Sequence, residues 1–375
     1  WPERRGGGRE GRRGLRGPNA VAAAVKVVAD RRRNITTIGS WEGDDVTVGQ
    51  VDSALSDLRR HEQRAAVRTS VLTLVAVVPD DAGAEAALEV VYDLGARHPS
   101  RTIVLVVDPE DEDEGEDAPQ GSGIDAAASV HVVEHGGRAV CFEDVVLRVR
   151  GTARHHLDSV VEPFSLPDLP LVVWLPAQLP APGDPLLAVA DRIVVDSRAV
   201  AGAGGPGGER SMVLPRIQAL ARRLPVTDLS WTRLAPWRSL LAGLFEGPVY
   251  RPFLREIERI EVVGNYGPRY LLAGWAMRRL KVPVARVELG PADHVSITVT
   301  AGHRQRTGVF KVERPGPDRV IHSSIEIDGG PSVSQVLRMR DQWPALALGN
   351  ALTRMGRDEI YCQSLEGALQ LRAAT

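Results

Sequence analysis

The sequence predicts a mixed α/β and α+β protein with two domains. The chain has 375 residues, which is too long for one ordinary hydrophobic core. Short β-branched runs alternate with helix-sized segments up to about residue 225, which is typical of an α/β domain with a mainly parallel or mixed sheet. Later runs follow one another without a long helix, which predicts an α+β domain with an antiparallel sheet. We therefore expect a poorly ordered tail (1–45), an α/β domain (46–225) and an α+β domain (226–375).

Composition and charge exclude several classes of protein. The formal net charge is −2, with 43% hydrophobic and 25% charged residues, so no overall field favours nucleic acid or a membrane. Two cysteines in 375 residues argue against a disulfide framework and fit a reducing compartment. The expectation is a cytoplasmic protein without a nucleic-acid or membrane partner.

The first 18 residues, WPERRGGGREGRRGLRGP, combine arginine with glycine and offer almost nothing to bury. Such a segment cannot offset its ordering entropy, so we expect a disordered tail. An RNA-binding arm and an upstream sequence foreign to the protein are the alternatives. A signal peptide is not expected, because no apolar region follows the charged residues.

The N-terminal half contains a predicted βαβ unit followed by a hairpin. Apolar spacing predicts helices at 51–61 and 82–97, and buried strands at 70–78 and 102–107. Alternating residues around His135-Gly136-Gly137 then predict a hairpin with arms at 126–134 and 138–149.

The most informative stretch is 166–198, which holds two β-branched runs, 171–174 and 193–195. In an open α/β sheet, ligands bind beyond the carboxyl ends of such strands. Asp191, Asp196 and Ser197 flank the second run and could bind a sugar hydroxyl, although ordinary capping of the following helix explains Asp196 and Ser197 equally well. The loops lack the glycine spacing and the catalytic groups of an enzyme.

The C-terminal half opens with a helical segment, 228–246, in which Asp228 or Ser230 can cap the start and Pro236 predicts a break or kink. The remaining pattern predicts strands at 258–263, 284–289, 295–300, 308–313 and 320–327, and helices at 268–280, 344–353 and 358–371.

No motif for catalysis or for a cofactor is present. The chain has no phosphate-binding loop, no dinucleotide fingerprint and no nucleophile elbow. His131 and His135 are four residues apart on a predicted strand, where they would be ~13 Å from each other and could not share an ion. We expect no catalytic residue, cofactor or metal. Cys141 is predicted to be buried on a strand and Cys362 lies on the last helix, so a redox role for the two is possible but unsupported by spacing.

Residues of the types that anchor protein interfaces cluster on the segment 228–246. They are Trp231, Arg233, Trp237, Arg238 and Phe245. Tryptophan and arginine are enriched among residues that dominate binding energy. The alternative is that both tryptophans fill a core between the two domains.

Four stretches together resemble one known family. They are RTSVLTLVAVV (68–78), SVVEPFSLPDLPLVVWLP with ADRIVVDSR (159–198), DLSWTRLAPWRSLLAGLFE (228–246) and YLLAGWAMRRL (270–280). The sequence is similar to the OpcA family of glucose-6-phosphate dehydrogenase assembly proteins, of the actinobacterial type. The motif residues are Pro167, Asp168, Leu169, Pro170, Trp174, Asp191, Asp196 and Ser197.

The resemblance implies a non-catalytic partner that promotes the active oligomer of glucose-6-phosphate dehydrogenase and activates it, in the oxidative pentose phosphate pathway. The contact would involve the 231–245 face or the proline-rich loop 176–185. The thioredoxin control of cyanobacterial members cannot be assigned to Cys141 or Cys362. The competing interpretation is a degenerate or active α/β enzyme that uses a sugar or nucleotide.

Overall fold

A computed structural model describes residues 35–61, 70–108, 123–135, 138–203, 208–316, 319–330, 332–339, 344–354 and 356–374. It contains an eight-stranded and a six-stranded sheet with helices packed against them. The mixed α/β class predicted from the sequence is thus confirmed. Among the described residues, no helix is long and apolar enough to cross a membrane.

The first sheet has the strand order β1-β4-β5-β3-β2-β6-β7-β8. Within it, β4 runs opposite to its neighbours β1 and β5, and the pairs from β5 to β8 are parallel. The strands are β1 (Ile35–Gly43), β2 (Thr73–Val78), β3 (Arg101–Val106), β4 (Ile124–His135), β5 (Arg138–Val149), β6 (Leu171–Leu175), β7 (Arg192–Val195) and β8 (Val226–Asp228).

Both faces of this sheet are covered, because alternate residues of one strand enter two different hydrophobic clusters. In β2, Val75 and Val77 belong to one cluster and Leu74 and Ala76 to the other. The helices in this part of the chain are α1 (Val48–His61), α2 (Asp81–Leu94), α3 (Leu157–Val161), α4 (Leu186–Val189), α5 (Ser197–Ala203) and α6 (Gly208–Arg223). A parallel sheet of this kind has nearly continuous apolar strands.

The second sheet has the order β10-β9-β11-β12-β13-β14. Its strands are β9 (Ile257–Gly264), β10 (Val287–Pro291), β11 (Ser296–His303), β12 (Arg306–Glu313), β13 (Val320–Ile327) and β14 (Val333–Arg338). The predicted antiparallel pairing holds except that β9 and β10 are parallel. A helix connects these two strands, and a crossover of this kind makes a parallel pair.

The remaining helices are α7 (Leu229–Arg233), α8 (Ala235–Leu244), α9 (Tyr266–Leu280), α10 (Pro344–Leu352) and α11 (Glu359–Ala374). Helices α9 and α11 cross closely at Gly274 and Gly367. A Cβ on Gly274 would lie 2.3 Å from the Ser364 carbonyl oxygen, so this contact requires glycine. The predicted break near Pro236 is confirmed, since α7 ends at Arg233 and α8 begins at Ala235.

Three parts of the chain differ from the sequence-based expectation. Residues 35–43, assigned to the tail, form edge strand β1 on β4, while residues 1–34 of that tail lie outside the described residues. Strand β14 was not expected. Strand β8, assigned to the C-terminal domain, completes the first sheet. The sequences of edge strands β1 and β14 show only a weak strand pattern, and the formation of these strands depends on pairing with β4 and β13.

Candidate functional site

The carboxyl ends of β7 and β8 bring two carboxylates into one network. Asp196 follows β7, and its Oδ1 accepts a hydrogen bond from the Ser230 hydroxyl at 2.6 Å. Its Oδ2 lies 2.6 Å from a guanidinium nitrogen of Arg233. Asp228 ends β8 and caps α7, because its Oδ1 accepts the backbone N–H groups of Ser230 at 2.9 Å and Ser197 at 3.1 Å.

The two carboxylates are shifted in opposite directions. Burial alone would raise the pKa of Asp196, but the hydrogen bond and charge of Arg233 hold it below its ordinary value. Burial and the negative charge of Asp196 raise the pKa of Asp228 to about 6. The network therefore stabilises the charged form of one carboxylate at the expense of the other.

The C-terminal helix closes this network on one side. The Trp231 indole Nε1 donates to Asp358 Oδ2 at 3.0 Å. The Arg238 guanidinium carbon stacks 3.4 Å above the Trp231 ring, and its Nη1 donates to the Trp231 carbonyl at 2.7 Å. Burial lowers the pKa of Arg238 to about 10. Burial and the nearby Asp228 charge raise the pKa of Tyr361 well above its ordinary value.

The space beyond these strand ends is filled by the chain itself. Ser197, Asp228 and Ser230 are each at most 1% exposed. Helix α9 begins against α5, and a Cβ on Gly267 would lie 2.3 Å from the Ser197 hydroxyl. Arg233, with a side chain 25% exposed, reaches outward, to a cleft of about 210 Å³ between α7, α10 and the end of β14. The network therefore presents neither an accessible nucleophile nor an accessible base.

A second possible ligand position lies at the carboxyl ends of β2 and β6, where the strand order changes direction. Here Asp80 caps α2 by accepting the Gly83 N–H at 2.7 Å. Asp81 in the first turn pairs with Arg148. Carboxylates occupy the positions where a phosphate-binding loop would present backbone N–H groups, so this end of the sheet does not suit an anion.

The family-motif residues build the entry to β6. Leu169 N–H donates to the Leu166 carbonyl at 3.2 Å in a turn where Asp168 has φ of 62°. The carbonyl of Pro170 then accepts from Thr73 on β2 at 2.9 Å. Pro167 belongs to the same turn. Asp191 Oδ2 accepts a hydrogen bond from the Leu171 N–H, the first residue of β6, at 2.8 Å. Trp174, further along β6, is buried with 3% of its surface exposed. These contacts place the strand in the sheet.

Of the residues chosen as interface candidates, the three aromatic ones are buried and the two arginines are half-buried. Trp231, Trp237 and Phe245 are 4%, 6% and 5% exposed. Trp237 Nε1 donates to the Val295 carbonyl at 3.1 Å. Arg233 pairs with Asp196, and Arg238 stacks on Trp231. This burial agrees with the alternative that the tryptophans fill a core, and a role for these residues in a partner contact stays a prediction.

The sequence did not reveal a buried polar cluster around His131 on β4. His131 Nε2 lies 2.5 Å from Asp144 Oδ1, and the Tyr92 hydroxyl donates to that oxygen at 3.0 Å. Burial, followed by the Asp144 charge, raises the pKa of Tyr92. Asp144 stands in an otherwise mostly apolar run of β5, and this feature of the sequence could have revealed the cluster. No group of three His, Cys, Asp or Glu side chains in the described ranges could hold a metal ion.

The two cysteines lie on different elements and are not joined in a disulfide. Cys141 is buried in β5, and Cys362 is partly exposed on α11. Their redox role stays a prediction.

Comparison with known proteins identifies two matching family models. One, described as the glucose-6-phosphate dehydrogenase subunit N-terminal domain, matches residues 91–209, and the corresponding C-terminal domain matches residues 224–365. A putative OxPP cycle protein OpcA from Synechocystis is 29% identical over 315 residues, covering 72% of this chain and 63% of that protein. The same-named protein of Nostoc punctiforme is 27% identical over 201 residues, covering 50% and 39%. The chain thus spans less than two thirds of these relatives, and it belongs to the OpcA family.

Proposed function

We propose that this chain binds glucose-6-phosphate dehydrogenase, promotes assembly of its active oligomer and activates it allosterically, within the oxidative pentose phosphate pathway. The observation that carries the proposal is the pair of family models, both described as domains of a glucose-6-phosphate dehydrogenase subunit, which match on both sheets. The names of the two relatives refer to the same pathway.

The filled strand ends support a non-catalytic role. A sugar- or nucleotide-using enzyme would need accessible polar groups at the ends of β7 and β8. Instead, Asp196 and Asp228 bond to Ser197, Ser230 and Arg233 of the same chain. The alternative enzyme function is therefore not favoured.

A different surface suits the partner contact, because interface anchors must be accessible. Strand β14 is exposed along its whole length at the edge of the second sheet. Val333, Val336 and Leu337 on this strand are 36%, 62% and 42% exposed, and Leu346, which lines the same cleft as Leu337, is 37% exposed. We name these four residues the outer-strand surface. An open strand edge can pair with a strand of the partner, and apolar side chains on both faces of β14, Val333 and Leu337 on one face and Val336 on the other, would flank that contact.

Activation follows if this contact is stronger in the active form of the dehydrogenase. A partner shifts a conformational equilibrium only by its difference in affinity for the two states. A typical coupling of ~1–3 kcal/mol corresponds to roughly a five- to 150-fold change in affinity. No catalytic group of the activator is needed.

The test combines an activity assay with a mass measurement. The cognate dehydrogenase is assayed with and without this chain, and the mass of the mixture is determined by light scattering. We expect higher activity and a larger complex. The double variant Val336→Lys/Leu337→Lys should lose both effects, whereas Ile360→Lys should keep them, since Ile360 is 45% exposed on α11 but outside the outer-strand surface.

The outcomes separate the two parts of the proposal. If the unaltered chain changes neither activity nor mass, the function is wrong. If the double variant still activates, the function holds and the outer-strand surface is not the contact.

A further inference from the structure

The open edge of β14 presents a defined set of backbone groups. Strand β14 pairs with β13 in an antiparallel register without a bulge, and the N–H of Met339, just after the strand, donates to the Arg319 carbonyl at 2.8 Å. Because the backbone groups of successive residues point to opposite sides of a strand, those of Ser334, Val336 and Arg338 face away from β13. All of β14 is exposed, so each of these three residues offers one donor and one acceptor to an added strand.

The cleft of about 210 Å³ lies at the end of this edge. Its volume corresponds to about seven water molecules in the liquid, which is enough for one or two amino-acid side chains. The cleft is continuous with the edge, because Leu337 and Arg338 of β14 belong to its lining. A strand added along β14 therefore places a side chain at the mouth of the cleft. The apolar part of the lining consists of Pro236, Leu337, Met339, Leu346 and Ala347.

The charged part of the lining is positive. Arg233 is anchored through one guanidinium nitrogen, which lies 2.6 Å from Asp196 Oδ2, and its side chain remains 25% exposed. Arg338 is exposed and forms no ion pair with the residues that the structure describes. The described lining residues include no aspartate or glutamate. Two guanidinium groups thus stand against one carboxylate, and a guanidinium binds a further carboxylate well because its N–H groups match the two oxygens.

These features specify the segment that fits the edge. Resting on the function proposed above, we propose that an extended segment of glucose-6-phosphate dehydrogenase adds a strand to β14 and carries a carboxylate side chain next to an apolar one. Its backbone pairs with Ser334, Val336 and Arg338, its apolar side chain packs in the cleft, and its carboxylate bonds to Arg233 and Arg338. A second copy of this chain fits less well, because its own β14, VSQVLR, contains no acidic residue.

The first test removes one outward N–H group. The full chain is titrated with the cognate dehydrogenase, and the dissociation constant is measured by biolayer interferometry. Val336→Pro should weaken binding at least about tenfold, because proline has no N–H to donate to the added strand. The variant should still fold, since the N–H of Val336 faces away from β13 and proline is tolerated at such edge positions. Val336→Ala is the matched control: it shortens the side chain, keeps the N–H and should weaken binding no more than about threefold.

The second test reverses one charge of the cleft. Arg338→Glu should slow association about tenfold and make the association rate less dependent on salt, because it removes attraction to the carboxylate. Arg304→Glu is the matched control, since Arg304 is exposed in the turn between β11 and β12 and does not line the cleft. It should leave the rate and its salt dependence unchanged. This pair decides the question if Val336→Pro fails to fold.

The outcomes separate this inference from the proposed function. If the unaltered chain does not bind the dehydrogenase, the function itself is wrong. If it binds and either folded variant, Val336→Pro or Arg338→Glu, binds as well as the unaltered chain, the function holds and the inference is overturned. A dimer of the chain alone that Val336→Pro dissociates, measured by light scattering, would overturn it in favour of a second copy. Binding of inorganic phosphate that Arg338→Glu abolishes would overturn it in favour of a small anion.

Discussion

The two sheets of this protein are covered differently. In the first sheet, β2 and β6 are buried at every residue, because helices cover both faces. In the second sheet, β12 and β13 alternate between buried and more exposed residues, so only one face is covered. The first sheet is built like a parallel core and the second like an antiparallel sheet with a solvated face.

This difference in covering leads to an expectation about where another molecule would bind. The first sheet encloses its polar groups, and the strand ends where a ligand would bind are filled by Asp196, Asp228 and their partners. The second sheet keeps an exposed edge strand, β14. We therefore expect the partner contact on the second sheet rather than on the first.

The largest change in the free energy of unfolding is expected at helix α8, which packs on one face of the second sheet. Trp237 on α8 is 6% exposed and its indole N–H bonds to the Val295 carbonyl. Trp237→Ala should lower the free energy of unfolding by about 3–5 kcal/mol, because it leaves a cavity and removes one of the two hydrogen bonds that the Val295 carbonyl accepts. Denaturant unfolding measures this. An unchanged stability together with loss of dehydrogenase binding would restore Trp237 as an interface residue.

Two leucines, one in each sheet, test the difference in burial between the two sheets. Leu74 in β2 is 0% exposed, whereas Leu337 in β14 is 42% exposed. Leu74→Ala should cost about 2–5 kcal/mol, and Leu337→Ala should change the free energy of unfolding by no more than about 0.5 kcal/mol. Similar losses in chemical denaturation would mean that β14 is a core strand and that the contrast between the sheets is wrong.

The buried carboxylate of the first sheet predicts a pH dependence. The pKa of Asp228 is raised from 3.8 to about 6 by burial and by Asp196, so the folded state binds this proton more tightly than the unfolded state. The resulting stabilisation is complete below pH 3.8 and is lost as pH rises through about 6.

The variant Asp228→Asn removes this titration and keeps the oxygen that accepts from Ser197 and Ser230. The free energy of unfolding of the unaltered chain, relative to Asp228→Asn, should therefore fall on the order of 1–3 kcal/mol between these pH values. Unfolding curves at several pH values provide the measurement. A constant difference would show that Asp228 titrates normally.

The smallest effect distinguishes two buried serines. Ser364 and Ser323 are each 1% exposed, but the Ser364 hydroxyl donates to the Leu271 carbonyl at 2.7 Å while that of Ser323 has no partner in the described residues. Ser364→Ala should cost about 0.5–1.5 kcal/mol, and Ser323→Ala should cost less. Equal losses would indicate that Ser323 is already satisfied by the protein or by ordered water.

The sequence predicted the elements whose pattern is local. The βαβ unit, the hairpin around residue 136 and the break before α8 follow from apolar spacing, turn residues and Pro236. Strands β1 and β14 were missed, because an edge strand is stabilised by pairing with a neighbour more than by its own pattern. The parallel β9–β10 pair was missed because the crossover helix α9 sets its direction.

The sequence by itself determined the α/β class, most elements and the family, since hydrophobic periodicity and motifs are properties of neighbouring residues. Only the tertiary structure decided where the side chains of those motifs lie and what they contact. Asp196 and Ser230 are 34 residues apart and Trp231 and Asp358 are 127 apart, yet each pair is hydrogen-bonded. Burial depends on which distant segments pack together, and for this reason the tryptophans that resemble interface anchors lie in the core.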